Sequence, residues 1–229
     1  MKSQFLILLV LTTGITIYSA ENKLKNTMHS VAADPEKDTL PAMIRYTEFK
    51  PRQIHNSPFR IPGFEIREMY SLYANELIIG SYQQVDDKFV FPDSDEDYGQ
   101  RLLLKDKYNR ILFTSAGSQD TYLFEPHFFK ANGSKTIVFC QMAFEYYLGG
   151  SVYIYEKGSM KYIGELDIES NRMDLPLIEI LKIHEQGEKL IFTFDRDSLL
   201  LNPGGEGERL IPNNHVHYTY DQQKLQLHL

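Results

Sequence analysis

The stretch that decides the fold is Thr136-Ile137-Val138-Phe139-Cys140-Gln141-Met142-Ala143-Phe144, a mostly apolar run rich in strand-forming residues. Successive side chains of a β-strand point to opposite faces, so every second residue from Val138 to Phe144 lies on one apolar face. Cys140 is the sole cysteine of the chain, and its position on this face predicts a packing role rather than a catalytic one. Because it has no partner for an intrachain disulfide, the core alone must hold the domain together.

Similar runs recur along the rest of the chain. From Phe64 onward, stretches rich in Val, Ile, Phe, Tyr and Leu alternate with turn residues about every ten positions, which is typical of an all-β domain. Gly and Asn between these stretches tolerate the positive backbone angles of tight turns. We therefore predict an all-β domain over residues 63–229, with turns at Ala131-Asn132-Gly133-Ser134, Leu148-Gly149-Gly150-Ser151, Glu156-Lys157-Gly158-Ser159 and Gln186-Gly187-Glu188.

A faint internal repeat groups the predicted strands into three triplets. The triplets begin at Glu76, Thr136 and Lys189. Units of about 40 to 55 residues with several strands each are typical of propeller blades, yet three blades cannot close the usual ring. We expect a single antiparallel β-meander body, either an open stack of about three blade-like units or a sandwich or barrel whose hairpins look alike.

The amino terminus has the features of an export signal. Lys2 precedes an apolar run from Phe5 to Ile17, and small residues follow at positions 18–20, which is the order of a secretory signal peptide. This apolar run is shorter than the roughly 20 residues of a membrane span, so no stable membrane insertion is expected after cleavage. We predict a signal peptide over residues 1–20 and a location in the periplasm or outside the cell. Residues 21–62 follow as a polar extension, which five of the ten prolines keep extended.

The charge balance narrows the range of partners. The chain has 24 Lys and Arg against 31 Asp and Glu, a formal net charge of -7. No dense basic cluster is present, so nucleic acid is not an expected partner. An acidic chain associates more readily with a basic protein than with an acidic one.

Tyrosine and phenylalanine are abundant, with 15 Tyr, 14 Phe and no Trp. Four tyrosines flank the Gly149-Gly150 pair, and strand alternation places some of them on the outside. Exposed tyrosines are efficient contact residues because a rigid ring loses little entropy on binding. We therefore predict a protein-binding surface at Tyr146, Tyr147, Tyr153 and Tyr155. The alternative is that tyrosine simply fills half-buried strand positions.

Two histidines form the best candidate for a metal site. His215 and His217 are two positions apart, so on a strand both imidazoles point to the same side and can bind one zinc ion. A zinc site needs further ligands, for which we nominate Glu125, His127 and His184. The alternative is that both histidines lie on the solvated face of their strand.

An acidic loop is the candidate for calcium. Asp93, Asp95 and Asp97 alternate like the first ligands of a calcium-binding loop. Tyr98 and Leu104 then occupy the positions where an EF-hand has Gly and a bidentate Glu, so the match is incomplete. A solvated loop without calcium is the alternative. We expect no cofactor, with zinc and calcium as the two alternatives.

The sequence favours a binding role over an enzymatic one, since the common motifs of hydrolases, nucleotide-binding proteins and metalloproteases are missing. We expect an exported soluble binding module that recognises another macromolecule, for instance as an inhibitor or immunity-type protein. Two alternatives stay open. One is a metal-dependent hydrolase built on His215 and His217, and the other is a structural component of a surface assembly that the proline-rich segment tethers.

Overall fold

The structure is a computed structural model that describes residues 42–86, 88–172 and 174–229. The predicted signal peptide and the extension up to residue 41 lie outside these residues. The strands are β1 (Met43–Arg45), β2 (Thr47–Phe49), β3 (Phe64–Leu72), β4 (Asn75–Tyr82), β5 (Gln100–Lys105), β6 (Ile111–Thr114), β7 (Leu123–Lys130), β8 (Thr136–Ala143), β9 (Tyr147–Glu156), β10 (Ser159–Leu166), β11 (Ile168–Ser170), β12 (Leu181–Gln186), β13 (Lys189–Phe194), β14 (Ser198–Leu201), β15 (Arg209–Pro212), β16 (His217–Tyr220) and β17 (Leu225–His228). One short helix, α1 (Leu177–Ile180), precedes β12.

The prediction of an all-β fold is confirmed. The described residues form four antiparallel sheets, none of them closed into a barrel: a first sheet in the order β3-β4-β5-β6, a central sheet β10-β9-β8-β7-β2, a third sheet β1-β12-β13-β16-β17, and a small sheet β11-β14-β15. Within the described ranges, no helix has the length and apolar character that crossing a bilayer requires.

The central sheet is buried on both faces. In β8, Ile137 and Phe139 belong to the core that includes the third sheet, whereas Val138 and Cys140 belong to the core that includes the first sheet. The sequence predicted one apolar face for this strand, but both faces are apolar because a sheet packs on either side. Cys140 is fully buried, which confirms its packing role. Phe144 lies beyond the end of the strand and is half-exposed.

The predicted triplets match the observed sheets in two cases out of three. Strands β4-β5-β6 and β8-β9-β10 are each neighbours in one sheet. The third triplet divides, because β13 pairs with β12 and β16, whereas β14 and β15 pair with each other and β14 also pairs with β11. The third meander is therefore β12-β13-β16-β17, with the β14-β15 hairpin inserted in it. Similar apolar runs in the sequence indicate that a segment forms a strand, but they do not indicate which strand it pairs with.

An N-terminal strap, residues 43–54, runs past the first strand of every meander. Strand β1 pairs with β12, β2 pairs with β7, and Gln53 forms an isolated antiparallel bridge with Tyr70 of β3. The predicted extension up to residue 62 thus contains strands of two sheets. Backbone hydrogen bonds along the strap connect all three meanders, the last of them from Ile54 N to Met69 O at 2.7 Å.

The turns at 131–134, 156–159 and 186–188 join neighbouring strands as predicted. The predicted turn at Leu148–Ser151 is wrong, because these residues lie inside β9 and the chain reverses at residues 144–146. Close packing, rather than a turn, explains why position 150 is a glycine. A Cβ atom there would lie 2.3 Å from Cys140 O and 2.6 Å from the Phe139 ring, so the close approach of β8 requires glycine.

We predict that Gly150→Ala lowers the free energy of unfolding by about 2 to 3 kcal/mol, because the added methyl group overpacks the β8-β9 contact. Gly133→Ala is the matched control, since a Cβ atom at Gly133 meets nothing within 4 Å. It should change stability by less than about 0.5 kcal/mol. Urea unfolding followed by circular dichroism measures both, and equal stability of the two variants would contradict the packing described.

Candidate functional site

A pocket of about 250 Å³ opens between the central sheet and the small sheet. Tyr146 and Tyr147, from the β8-β9 turn and the start of β9, form one wall and are both half-buried. The opposite wall comes from β11, β14 and the residues beside them. We call this site the tyrosine pocket; its lining residues are Tyr146, Tyr147, Glu169, Ser170, Asn171, Arg172, Leu200 and Glu208.

One row of side chains crosses the small sheet beneath the pocket. Glu169 pairs with Leu200, and Leu200 pairs with Leu210, so the three side chains lie on the same face of three adjacent strands. Leu199 points the other way and is fully buried in the core. Exposure rises along the row, from 2% at Glu169 to 60% at Leu210. The row therefore begins at a buried carboxyl group that lines the pocket and ends at an exposed apolar side chain beside it.

Glu169 is held by hydrogen bonds from three directions. Gln141 Nε2 donates to Glu169 Oε1 at 2.7 Å, and the backbone N–H of Gly149 donates to the same oxygen at 2.9 Å. The backbone N–H of Ser170 donates to Oε2 at 3.2 Å. Gln141 is itself fixed, because its Oε1 accepts a hydrogen bond from Ile178 N of α1 at 3.1 Å. The central sheet, the small sheet and α1 together fix the position of this carboxyl group.

Burial raises the pKa of Glu169 to about 7, although the hydrogen bonds from Gln141, Gly149 and Ser170 favour the ionised form. Its charge therefore changes within the physiological range of pH. A carboxyl group with a displaced pKa at the bottom of a pocket is a common feature of binding and catalytic sites.

The rim of the pocket carries both signs of charge. Arg172 forms a bidentate ion pair with the exposed Asp174, through Nε at 3.0 Å and a terminal nitrogen at 2.5 Å. Glu208 accepts a hydrogen bond from Gly204 N at 2.7 Å. Asp174 already pairs with the guanidinium of Arg172. The carboxyl groups of Glu169 and Glu208 therefore make the pocket more suited to a cation than to an anion.

Only two of the four tyrosines predicted for a binding surface lie at the tyrosine pocket. Tyr153 and Tyr155 are each 3% exposed and belong to the core between the first and central sheets. Tyr155 Oη donates to Asn75 Oδ1 at 2.9 Å, and its ring stacks on Tyr73. The prediction that these two face outward is wrong, because the first sheet covers the face of β9 on which they lie.

The zinc ligands predicted from the sequence do not come together. His217 is the first residue of β16 in the third sheet, where it stacks on His228, whereas His215 precedes the strand with a positive φ of 72°. Glu125 and His127 lie on β7 of the central sheet, with 4.0 Å between Glu125 Oε2 and His127 Nε2. His184 lies on β12 and pairs with Arg45. Across the described ranges, no group of three or more His, Cys, Asp or Glu is placed to hold a metal ion.

The acidic loop binds an arginine of its own chain. Arg101 is 2% exposed, and its guanidinium lies 2.7 Å from Asp93 Oδ1 and 3.3 Å from Asp97 Oδ1. Hydrogen bonds from Gly117 and Arg101 hold the pKa of Asp97 below its usual range despite partial burial. Asp95 is exposed. Two of the three predicted calcium ligands therefore neutralise a buried cation, which favours the alternative of a loop without calcium.

Sequence reasoning missed six of the eight lining residues, namely Glu169, Ser170, Asn171, Arg172, Leu200 and Glu208. Their distance from Tyr146 along the chain leaves no local pattern that connects them. The sequence does carry one signal, because Glu169 follows the apolar pair Leu166 and Ile168 and is a carboxylate in a strand that is otherwise buried. A charged residue in such a place is seldom without a structural or functional partner.

Comparison of the chain with models of protein families, with curated proteins and with solved structures found no match. The tyrosine pocket is therefore interpreted from its own geometry.

We predict that Glu169 makes stability depend on pH. The group keeps its proton up to a pH of about 7 in the folded chain, against an ordinary pKa of 4.5. Between these values the folded state binds more protons than the unfolded state, so stability falls as pH rises, by about 3 kcal/mol, and then levels off. The difference in unfolding free energy between the wild type and Glu169→Gln, measured from pH 4.5 to 8, reports this loss. Glu208→Gln is the matched control, and a constant difference for Glu169→Gln would contradict the assignment.

We also predict that Asp93→Ala destabilises the fold by about 3 to 5 kcal/mol, because it leaves the buried Arg101 without its closest counter-ion. Asp95→Ala, a change in the same loop, should cost less than about 0.5 kcal/mol. Thermal or urea unfolding with and without calcium tests both substitutions. Equal effects of the two changes, or stabilisation by calcium that either change removes, would restore the calcium interpretation.

Proposed function

We propose that this chain is an exported binding module that recognises a basic protein, with the tyrosine pocket as the site that takes a lysine or arginine side chain of the partner. The observation that carries the proposal is the carboxyl group of Glu169, which is buried at the end of a pocket walled by two tyrosines. An inhibitor or immunity-type role, in which the module covers a functional surface of its partner, fits such a site.

The pocket has the chemistry that binds an organic cation. Tyrosine rings attract a cation to their faces, and the attraction is stronger where water is excluded. The carboxyl groups of Glu169 and Glu208 provide hydrogen-bond acceptors for a guanidinium or ammonium group. Insertion of a cation next to Glu169 also favours its ionised form, so binding and deprotonation are coupled.

Apolar side chains beside the pocket extend the surface. Phe144 is 49% exposed and lies in the same turn as Tyr146, while Leu210 is 60% exposed and neighbours Leu200. Exposed apolar side chains around a pocket with a specific polar group are typical of protein-binding sites. The charged end selects the side chain that enters, and the apolar rim supplies contact area.

The ligands nominated for the hydrolase alternative are divided between two sheets, since Glu125 and His127 lie on β7 whereas His184 and His217 lie on β12 and β16. The alternative of a structural component differs from the proposal in its expected partner, which is another copy of the chain. Sedimentation therefore distinguishes the two. A monomer at all concentrations supports the binding module, and concentration-dependent association supports the surface assembly.

The test is affinity capture from envelope and secreted fractions with the wild type and Tyr147→Ala in parallel. We expect the wild type to retain one basic protein, and Tyr147→Ala to retain at least about tenfold less of it because an aromatic wall of the pocket is lost. An excess of an arginine-containing peptide should release the protein from the wild type.

Tyr108→Ala is the matched control, because Tyr108 is 67% exposed and lies on another hairpin. It should retain as much partner as the wild type. Capture of the same protein at equal yield by Tyr147→Ala, or no capture by the wild type, would refute the proposal.

A further inference from the structure

A second pocket, of about 270 Å³, lies between the first and central sheets. Four of its twelve lining residues are aromatic, and their rings belong to four different strands. Tyr153 is central among them: its ring centroid lies 5.4 Å from that of Tyr162 and 6.1 Å from that of Phe113. We call this site the aromatic pocket. Its lining residues are Phe113, Thr114, Ser115, Ala116, Gly117, Ser118, Phe124, Met142, Ser151, Tyr153, Tyr162 and Glu165.

A β-bulge shapes one side of the aromatic pocket. Tyr162 pairs with Tyr153, but the next pair on β10 is Gly164 with Val152, so Ile163 is an extra residue. In a regular strand, residues three apart lie on opposite faces. The bulge places Tyr162 and Glu165 on the same face, opposite Tyr153 and Ser151. Bulges often redirect side chains next to functional sites.

The pairing of β8 with β9 is also irregular at this pocket. The register shifts between Gln141 and Ala143, and Met142, which lies between them, lines the pocket. Ser151 is 5% exposed; its Oγ donates to Met142 Sδ at 3.9 Å, and its hydroxyl also interacts with that of Tyr153.

The charge of the aromatic pocket lies at its mouth. Glu165 is exposed, and the neighbouring Tyr162 is 45% exposed, whereas Phe124 and Tyr153 are buried deeper in the pocket. Burial and the nearby carboxylate of Glu165 raise the pKa of Tyr162 to about 12, so its phenol stays neutral at physiological pH. The pocket therefore presents aromatic rings and buried serine hydroxyls in its interior, with a phenol hydroxyl and a carboxylate at its mouth.

We infer that the aromatic pocket binds a small aromatic amine, with its single ring against Phe113, Tyr153 and Tyr162 and its ammonium group at Glu165. The volume suits one ring, because drug-sized ligands need about 300 Å³ or more. The carboxylate complements a cation, and aromatic walls favour an aromatic ring in edge or offset contact. This site is separate from the tyrosine pocket, and the inference does not depend on the proposed function.

Titration of the purified full chain with 2-phenylethylamine tests the inference. The chain has no Trp, so its fluorescence comes from its 15 tyrosines, which include Tyr153 and Tyr162, and calorimetry is the second readout. We expect saturable one-to-one binding. The neutral analogue 2-phenylethanol should bind about tenfold more weakly, because it lacks the charge that pairs with Glu165.

Two variants locate the site. Glu165→Gln should weaken binding of the amine about tenfold and leave binding of the alcohol unchanged. Ala116→Phe should weaken both ligands by filling the mouth of the pocket, and Glu188→Gln, at an exposed turn, should weaken neither. No saturable binding up to about 5 mM of the amine, or equal binding of the amine to the wild type and Glu165→Gln, would overturn the inference, even if Ala116→Phe does not fold.

Discussion

The burial of β8 and β9 on both faces is the constraint on which the rest of the structure depends. Alternate residues of these strands enter two different cores, one shared with the first sheet and one with the third. Side chains on both faces are therefore tightly packed, and a substitution that changes side-chain volume on either face disturbs the packing of a core. The requirement for glycine at Gly150 follows from the same close packing.

Both pockets lie where the regular packing of β8 and β9 ends. Pairing of β8 with β9 becomes irregular near Met142, and the chain then reverses through Phe144 and Tyr146. The tyrosine pocket lies between this turn and the hairpin inserted in the third meander. The aromatic pocket lies beside the bulge of β10. Rigid strands therefore support both sites, and irregular positions provide the space for them, a common division of roles between scaffold and site.

The sequence predicted strands from Phe64 onward and three of the four turns, because alternation and turn residues are local properties, but it did not predict β1 and β2. It did not predict the partner of each strand. The β14-β15 hairpin resembles the other runs, yet it joins β11, and this pairing brings Leu200 next to Glu169. Long-range pairing also decides exposure, since the same tyrosine pattern gives a half-buried Tyr147 and a buried Tyr155. The sequence also did not predict that Asp93 and Asp97 pair with Arg101, because no local pattern shows that Arg101 is buried.

The central claim is that the tyrosine pocket receives a basic side chain. The most direct measurement is an NMR titration of the chain, labelled on its tyrosine rings, with N-acetyl-arginine amide. The account predicts that the ring signals of Tyr146 and Tyr147 shift together and saturably, while those of exposed tyrosines elsewhere, such as Tyr108, do not. Absence of a shift at Tyr146 and Tyr147, or equal shifts at all exposed tyrosines, would contradict it.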